Sequence, residues 1–353
     1  MPTEQTAISM RAVARDSRIC GLVRVRSPRF WIGLLISAVF LYLAFRGQDF
    51  QEIGSALRQA NYWYVLPALG LYFIGVYLRT FRWAWVLRGV VPLQTRRLFS
   101  VVVIGYMANN VLPLRAGELV RSYVLSTRTG MRKTSILATI AVERIFDGLT
   151  MLLFILVASL FIGLTDQLEA VTLIAAGLFG LLVVLVLFLT TSSARELLIR
   201  WLLPRLPLMI RERAERMIES VFAGLSVLRR RNDVIVVSAV SITAWLFEAS
   251  MYLVIAIGFG LEIGVAAILL VTAVANLATL IPSSPGYVGP FEAGVLLALV
   301  GAVGVQRELA LSFAIVVHAT LYLPITLWGL GYWWRESLSW RDVRTLTADE
   351  EQT

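Results

Sequence analysis

Apolar runs of roughly bilayer length recur along the chain, at residues 30–45, 63–81, 136–163, 171–189, 234–259 and 311–334. A helix needs about 20 apolar residues to cross a hydrocarbon core of about 30 Å, so these runs predict six transmembrane helices. The first, with no small-residue cleavage site behind it, reads as an uncleaved anchor. Two further stretches, 101–112 and 266–281, are too short to cross, and each meets a proline–glycine break followed by helix-like residues, 118–125 and 291–303. Proline removes a backbone donor and stops a helix. Both stretches therefore predict re-entrant hairpins.

The order span, hairpin, span occurs twice, with opposite orientation. Pro113-x-x-x-Gly117 with Glu118 behind it is matched by Pro285-x-x-x-Gly289 with Glu292 behind it. The fold class expected is an all-α polytopic membrane protein of about six full transmembrane helices and two re-entrant broken-helix hairpins, in inverted-repeat architecture. Interrupted helices at matching places in inverted halves point to a transport site near the midplane; ordinary interhelical turns are the alternative. The transmembrane domain covers 28–335. Basic residues fill the tail 1–27, and a second tail occupies 336–353. Within the domain, 195–231 carries an amphipathic pattern, with Ile210, Ala214, Met217, Val221, Leu225 and Leu228 on one face and Arg211, Arg213, Glu215, Arg216 and Glu219 on the other. It reads as a surface helix at the anionic leaflet or a solvated linker.

Composition agrees with this class: 58% of residues are hydrophobic, 16% are charged and mean hydropathy is +0.77, which excludes a soluble globular enzyme. The single Cys20 excludes a disulfide framework or a cysteine zinc site. His318 is the only histidine, so no metal centre or histidine-based catalytic set can be built, and it reads as a satisfied packing residue. No cofactor is expected.

The net charge of +9 comes from 32 basic residues, of which Lys133 is the only lysine. Arg79, Arg82, Arg88, Arg96 and Arg97, the segments 115–133 and 195–231, and Arg335, Arg341 and Arg344 all fall on one side, while the opposite loops are poor in basic residues. That is the positive-inside pattern. It puts both termini in the cytoplasm and removes nucleic acid as a partner.

Three groups of residues are candidates for chemistry. Glu143, Arg144 and Asp147 lie in the span 136–163, where charges facing lipid would cost about 2.5–3.5 kcal/mol each, so they should face inward. They can bond internally as a buried structural cluster or turn Arg144 to a ligand. Asn109, Asn110, Pro113, Arg115, Gly117, Glu118 and Arg121 surround the first break, where exposed amides and arginine forks suit a phosphate; topology signalling is the other reading of the arginines. Pro282, Ser283, Ser284, Pro285, Gly286, Gly289 and Glu292 form the second break, whose unwound backbone is tolerated at depth only inside protein or beside water. Glu248 is a second-tier candidate for the same cavity. No Walker A, G-x-S-x-G or H-E-x-x-H motif is found.

The stretch 110–118, then Glu143-Arg144-x-x-Asp147, then 281–286 with Gly289-x-x-Glu292, together resemble the lysylphosphatidylglycerol synthase transmembrane region family. This is the flippase-like domain also found in the multiple peptide resistance factor, and the resemblance covers roughly 30–335. It implies movement of lipids, aminoacylated phospholipids included, between leaflets of a bacterial inner membrane. With only 19 residues after Trp334, synthesis of lysylphosphatidylglycerol is not expected, and Tyr287 stands where the family commonly has a further glycine. The expected function is a lipid flippase or scramblase for an anionic or phosphate-bearing lipid. Arg115, Arg121 and Arg144 would receive the phosphate, the acidic residues would tune charge or bind a coupling cation, and the Asn and Ser groups would hold the head. An intramembrane transferase, or a membrane partner of a separate glycosyltransferase, is the alternative; a second copy or a lipid-modifying enzyme would be the protein partner.

Overall fold

Helix ends fall where the sequence supplies caps and breakers. The computed structural model describes residues 28–112, 116–189, 191, 196–197, 199–200, 203–205 and 208–336. Among these, twelve α-helices and no strands occur: α1 (Pro28–Phe45), α2 (Phe50–Gln59), α3 (Val65–Leu87), α4 (Thr95–Val111), α5 (Gly117–Thr129), α6 (Lys133–Ser159), α7 (Asp166–Leu189), α8 (Leu208–Gly224), α9 (Arg231–Gly258), α10 (Val265–Ala278), α11 (Pro290–Ala298) and α12 (Arg307–Arg335). Asp49 caps α2 by accepting from the Gln51 amide at 2.7 Å. Gly130 ends α5 in the left-handed region, φ 71°. Pro290 starts α11, where its missing donor costs nothing. The tail 1–27, residues 337–353, and Pro113 and Arg115 of the first break lie outside the described residues.

Helices α3, α7, α9 and α12 are long and apolar enough to cross a membrane, and α1 with α2 makes a fifth candidate bent by 86°. The remaining expected span is α6, whose 27 residues suffice in length but carry Glu143, Arg144 and Asp147 midway. Helix α10, with 14 residues, is about 21 Å long at 1.5 Å per residue, short of a ~30 Å core, as a hairpin arm should be.

Packing follows the repeat. Helices α3 and α9 run antiparallel at the centre, with the Asn61 amide bonded to the Gly258 carbonyl at one end (2.8 Å) and Trp85 Nε1 to Asp233 at the other (3.0 Å). Around them α4 packs on α12 and α6 on α10, while α4–α5 and α10–α11 form the two hairpins. Helix α5 then meets α6, and α11 meets α12. Exchanging α3–α4–α5–α6 for α9–α10–α11–α12 maps the central pair onto itself and each of the other pairs onto another. This is the internal two-fold relation that an inverted repeat requires. Helices α1 and α2 are added against α11 and α12, and α7 and α8 against α6.

In and after α8, Ala214, Val221, Leu225 and Leu228 of the expected apolar face pack inward, and Met217 departs from it. Ile218 and Phe222 are buried with Leu203, while Met217 is 54% exposed. Gly224 seats the end of the helix directly on Ser135 and Ala138 of α6.

Both hairpins close through small residues, as membrane helices do where backbones must touch. A Cβ on Gly117 would overlap the Gly105 carbonyl oxygen, and one on Gly294 would lie 2.8 Å from Ala275 Cα and Ala278 Cβ. Substituting Gly117→Val therefore overpacks the first hairpin. A loss of about 1–3 kcal/mol is expected, measured as a lower unfolding midpoint of the detergent-solubilised protein; an unchanged midpoint would contradict this packing.

Candidate functional site

A polar cavity of about 160 Å³ opens where the two units meet. Its walls come from α3 (Tyr72, Arg79), α4 (Tyr106, Asn109, Asn110), α6 (Arg144, Asp147), α9 (Trp245, Glu248), α10 and the residue after it (Asn276, Thr279), the second break (Tyr287), α11 (Phe291) and α12 (His318, Leu321, Tyr322, Ile325). Charged residues at such depth persist only when paired, and here four arginines meet four carboxylates. Arg79 Nη2 donates to Glu248 at 2.6 Å and its guanidinium lies 4.1 Å from the Trp245 ring centre. Arg82, with no solvent exposure, donates to Asp147 at 2.7 Å and Ser241 at 2.8 Å, and stands 3.4 Å from Glu143. Arg121 completes Glu143 from α5 at 2.8 Å and stacks on Trp83 at 4.0 Å. Arg144 lies 3.2 Å from Asp147 and 3.6 Å from Glu118. Trp245 Nε1 donates a further bond to Asp147 at 2.9 Å.

The expected site residues thus separate. Asn109, Asn110, Arg144 and Asp147 reach the cavity. Asn109 accepts from the Gly117 amide at 2.8 Å, which caps α5, and Asn110 donates to Thr326 at 2.8 Å, which fastens α4 to α12. Arg121 and Glu143 do not line it: both are buried behind it in the ion cluster, paired with each other. Glu118 sits beside Arg144 with 29% of its side chain exposed. Ser283 and Ser284 do not line the cavity. They pack on α1, where the Ser284 amide donates to Ser37 Oγ at 2.9 Å and a Cβ on Gly33 would fall 2.9 Å from the Ser283 carbonyl.

The second break turns through Gly286 (φ 77°), Tyr287 (φ 60°) and Gly289 (φ 101°). Left-handed backbone is natural for glycine and strained for tyrosine, so Tyr287 is held on the cavity wall against its own preference. Glu292 accepts from the Gly289 amide at 2.7 Å and meets His318 Nδ1 at 2.6 Å. His318 is satisfied, as expected of a packing histidine, yet it also faces the cavity.

The positive-inside pattern placed Arg79 and Arg82 in a cytoplasmic segment. That is corrected here: both are buried, 5% and 0% exposed, because α3 continues to Leu87 and carboxylates from α6 and α9 neutralise them. The usable signal was the apolar stretch Trp83 to Leu87 beyond the two arginines, with the pair three residues apart on one helix face. Glu248, ranked second in the sequence, is a full member of the site.

The sequence model of the lysylphosphatidylglycerol synthase TM region matches residues 30–329. A UPF0104 membrane protein of Methanothermobacter thermautotrophicus is 28% identical over 299 residues, covering 79% of this chain and 87% of that protein. A second UPF0104 membrane protein of that organism is 25% identical over 317 residues, covering 85% and 91%. Glycosyltransferase AglD of Haloferax volcanii is 27% identical over 350 residues, which is 90% of this chain and 55% of that longer protein. No solved structure matches. These relatives are archaeal and two of them are named membrane proteins, so the membrane part of the expected location is supported and a bacterial source is not.

Burial separates the arginines energetically. Arg82→Ala leaves Glu143 and Asp147 without their shared partner in the interior, and a loss of about 3–5 kcal/mol is expected. Arg144→Ala removes a group with 33% of its side chain exposed, where pairs are worth about 1 kcal/mol or less. Thermal unfolding of the two purified variants in detergent should rank them in that order, and the reverse ranking would overturn the assignment of Arg82 as the structural cation.

Proposed function

Because the chain belongs to the lysylphosphatidylglycerol synthase TM region family, and its cavity joins two broken-helix hairpins, we propose that it moves a lipid with a phosphate-bearing head group between leaflets. One observation carries the reading: Arg144 lines the cavity and keeps 33% of its side chain exposed, against 6% or less for Arg79, Arg82 and Arg121. Its contact with Glu118 is 3.6 Å long, between side chains that are each about one-third exposed. A lipid phosphate entering there exchanges for Glu118 and gains a charge-assisted bond, while the acyl chains stay in hydrocarbon. The two-fold exchange of units supplies the rocking motion by which repeat transporters expose one site to either side. The arginine distribution supports a cytoplasmic membrane with both termini inside.

A second reading is supported by the relative named Glycosyltransferase AglD, of which this chain matches 55%: the chain would then serve as membrane partner to a separate glycosyltransferase. Purified protein in vesicles containing fluorescent phosphatidylglycerol distinguishes the two. Loss of the inner-leaflet pool to an impermeant quencher is expected, slowed about tenfold or more by Arg144→Ala, the equivalent of the roughly 1.5–3 kcal/mol of one charged hydrogen bond. Quenching no faster than in protein-free vesicles would remove the transport reading.

A further inference from the structure

The transport reading leaves His318 and Glu292 without a task, and their geometry gives them one. His318 Nε2 lies 2.7 Å from the Gly286 carbonyl oxygen. A carbonyl only accepts, so Nε2 carries a hydrogen. Nδ1 lies 2.6 Å from Glu292 Oε1, a distance at which two lone pairs repel, so one proton is shared between them. It belongs either to an imidazolium facing a carboxylate or to a carboxylic acid facing a neutral imidazole. In both arrangements the pair is uncharged overall and holds one proton more than the neutral imidazole and carboxylate left on releasing it.

Releasing that proton has two consequences. It leaves a net negative charge on side chains only 12% and 6% exposed, and it turns the Nδ1···Oε1 attraction into repulsion. Both residues are also fasteners. Glu292 Oε2 accepts from the Gly289 amide at 2.7 Å, and His318 donates to Gly286, so the pair ties both left-handed glycines of the second break to α12. The His318 ring lies against Phe291 at 4.5 Å and shares the cavity wall, so water in the cavity is the route by which the proton leaves.

The surroundings do not supply a substitute charge. From α12, Tyr322 meets the His318 ring edge-on at 6.2 Å, and Tyr287 stands on the tip itself. Across the cavity, Tyr72 of α3 and Tyr106 of α4 are phenols, while Arg79 is matched by Glu248 and Arg144 by Asp147. The side of the tip facing α1 contributes the Ser37 carbonyl and Phe40, neither of them titratable.

We propose that Glu292 and His318 form a proton-binding latch that closes the second hairpin on α12, and that loss of its proton frees the tip and couples lipid movement to a proton gradient. The coupling rests on the transport reading; the proton site does not.

Full-length protein carrying no histidine tag, in nanodiscs with ¹⁵N-labelled histidine, gives one imidazole to observe. Expected is an Nε2 that keeps its hydrogen throughout and an Nδ1 that changes in one pH transition, abolished in Glu292→Gln, whose amide can donate to Nδ1 but cannot release a proton. A His318 with no transition, or with the same midpoint in Glu292→Gln, overturns the latch. The second measurement uses the fluorescent phosphatidylglycerol vesicles under an imposed pH difference. One proton per lipid shifts the steady-state leaflet ratio about tenfold per pH unit, and Glu292→Gln, which holds the latch closed with no proton to release, should move lipid more slowly than the wild type and show no such shift. Equilibration in the wild type that ignores the gradient overturns the coupling while transport stands. No movement of lipid, with the transition intact, removes transport and its coupling and retains the proton site.

Discussion

Arg82 projects from α3 with its guanidinium wholly out of solvent, held by Asp147 and Ser241 at hydrogen-bond distance and by Glu143 in ion-pair range. An arginine in that position costs several kcal/mol in lost hydration unless carboxylates stand ready. Meeting that demand dictates much of the interior. Helix α6 must present Glu143 and Asp147 on one face, α9 must bring Ser241 and Trp245 alongside, and α5 must supply Arg121 so that Glu143 is not left with a single distant partner. One side chain thus joins three helices, α3, α6 and α9, and Arg121 adds α5 through Glu143.

The same accounting explains the character of the cavity. Its charges balance, so it has no standing positive field to trap a phosphate; what it offers is a set of ion pairs of graded strength. Arg79 and Arg82 are sealed by short bonds in the dry interior, Arg121 is sandwiched against Trp83, and Arg144 alone among the four keeps a longer, wetter contact with Glu118. A site that must also let go of what it binds suits exchange of partners better than a permanent excess of charge.

Much of this was legible in the sequence because it follows from length and period. The long apolar runs, the two short ones and their proline–glycine breaks give the helices, the hairpins and the repeat, and the charges at 143, 144 and 147 had to face inward. What was not legible depends on direction. Whether an arginine near a helix end looks to the cytoplasm or turns into the bundle is decided by partners 60 to 170 residues away, and the only local mark on Arg79 and Arg82 is the apolar stretch that continues beyond them to Leu87. Likewise Ser283 and Ser284 sit in the right motif but on its outer side, since α1 covers that face. Arg115 lies outside the described residues, and the contribution of the first break to the cavity is seen through Asn109 and Asn110.

The crossed pairing of α4 with α12 and of α6 with α10 bears on how the protein is made. Neither unit holds its own hairpin against its own spans alone; each lends an arm to the other. During synthesis α4 has to wait for a partner more than 200 residues downstream, and Arg79 for Glu248, so the first half enters the bilayer with polar groups still unanswered. The nascent chain therefore has no finished half to rest on, and its interior becomes complete only when the last helix arrives.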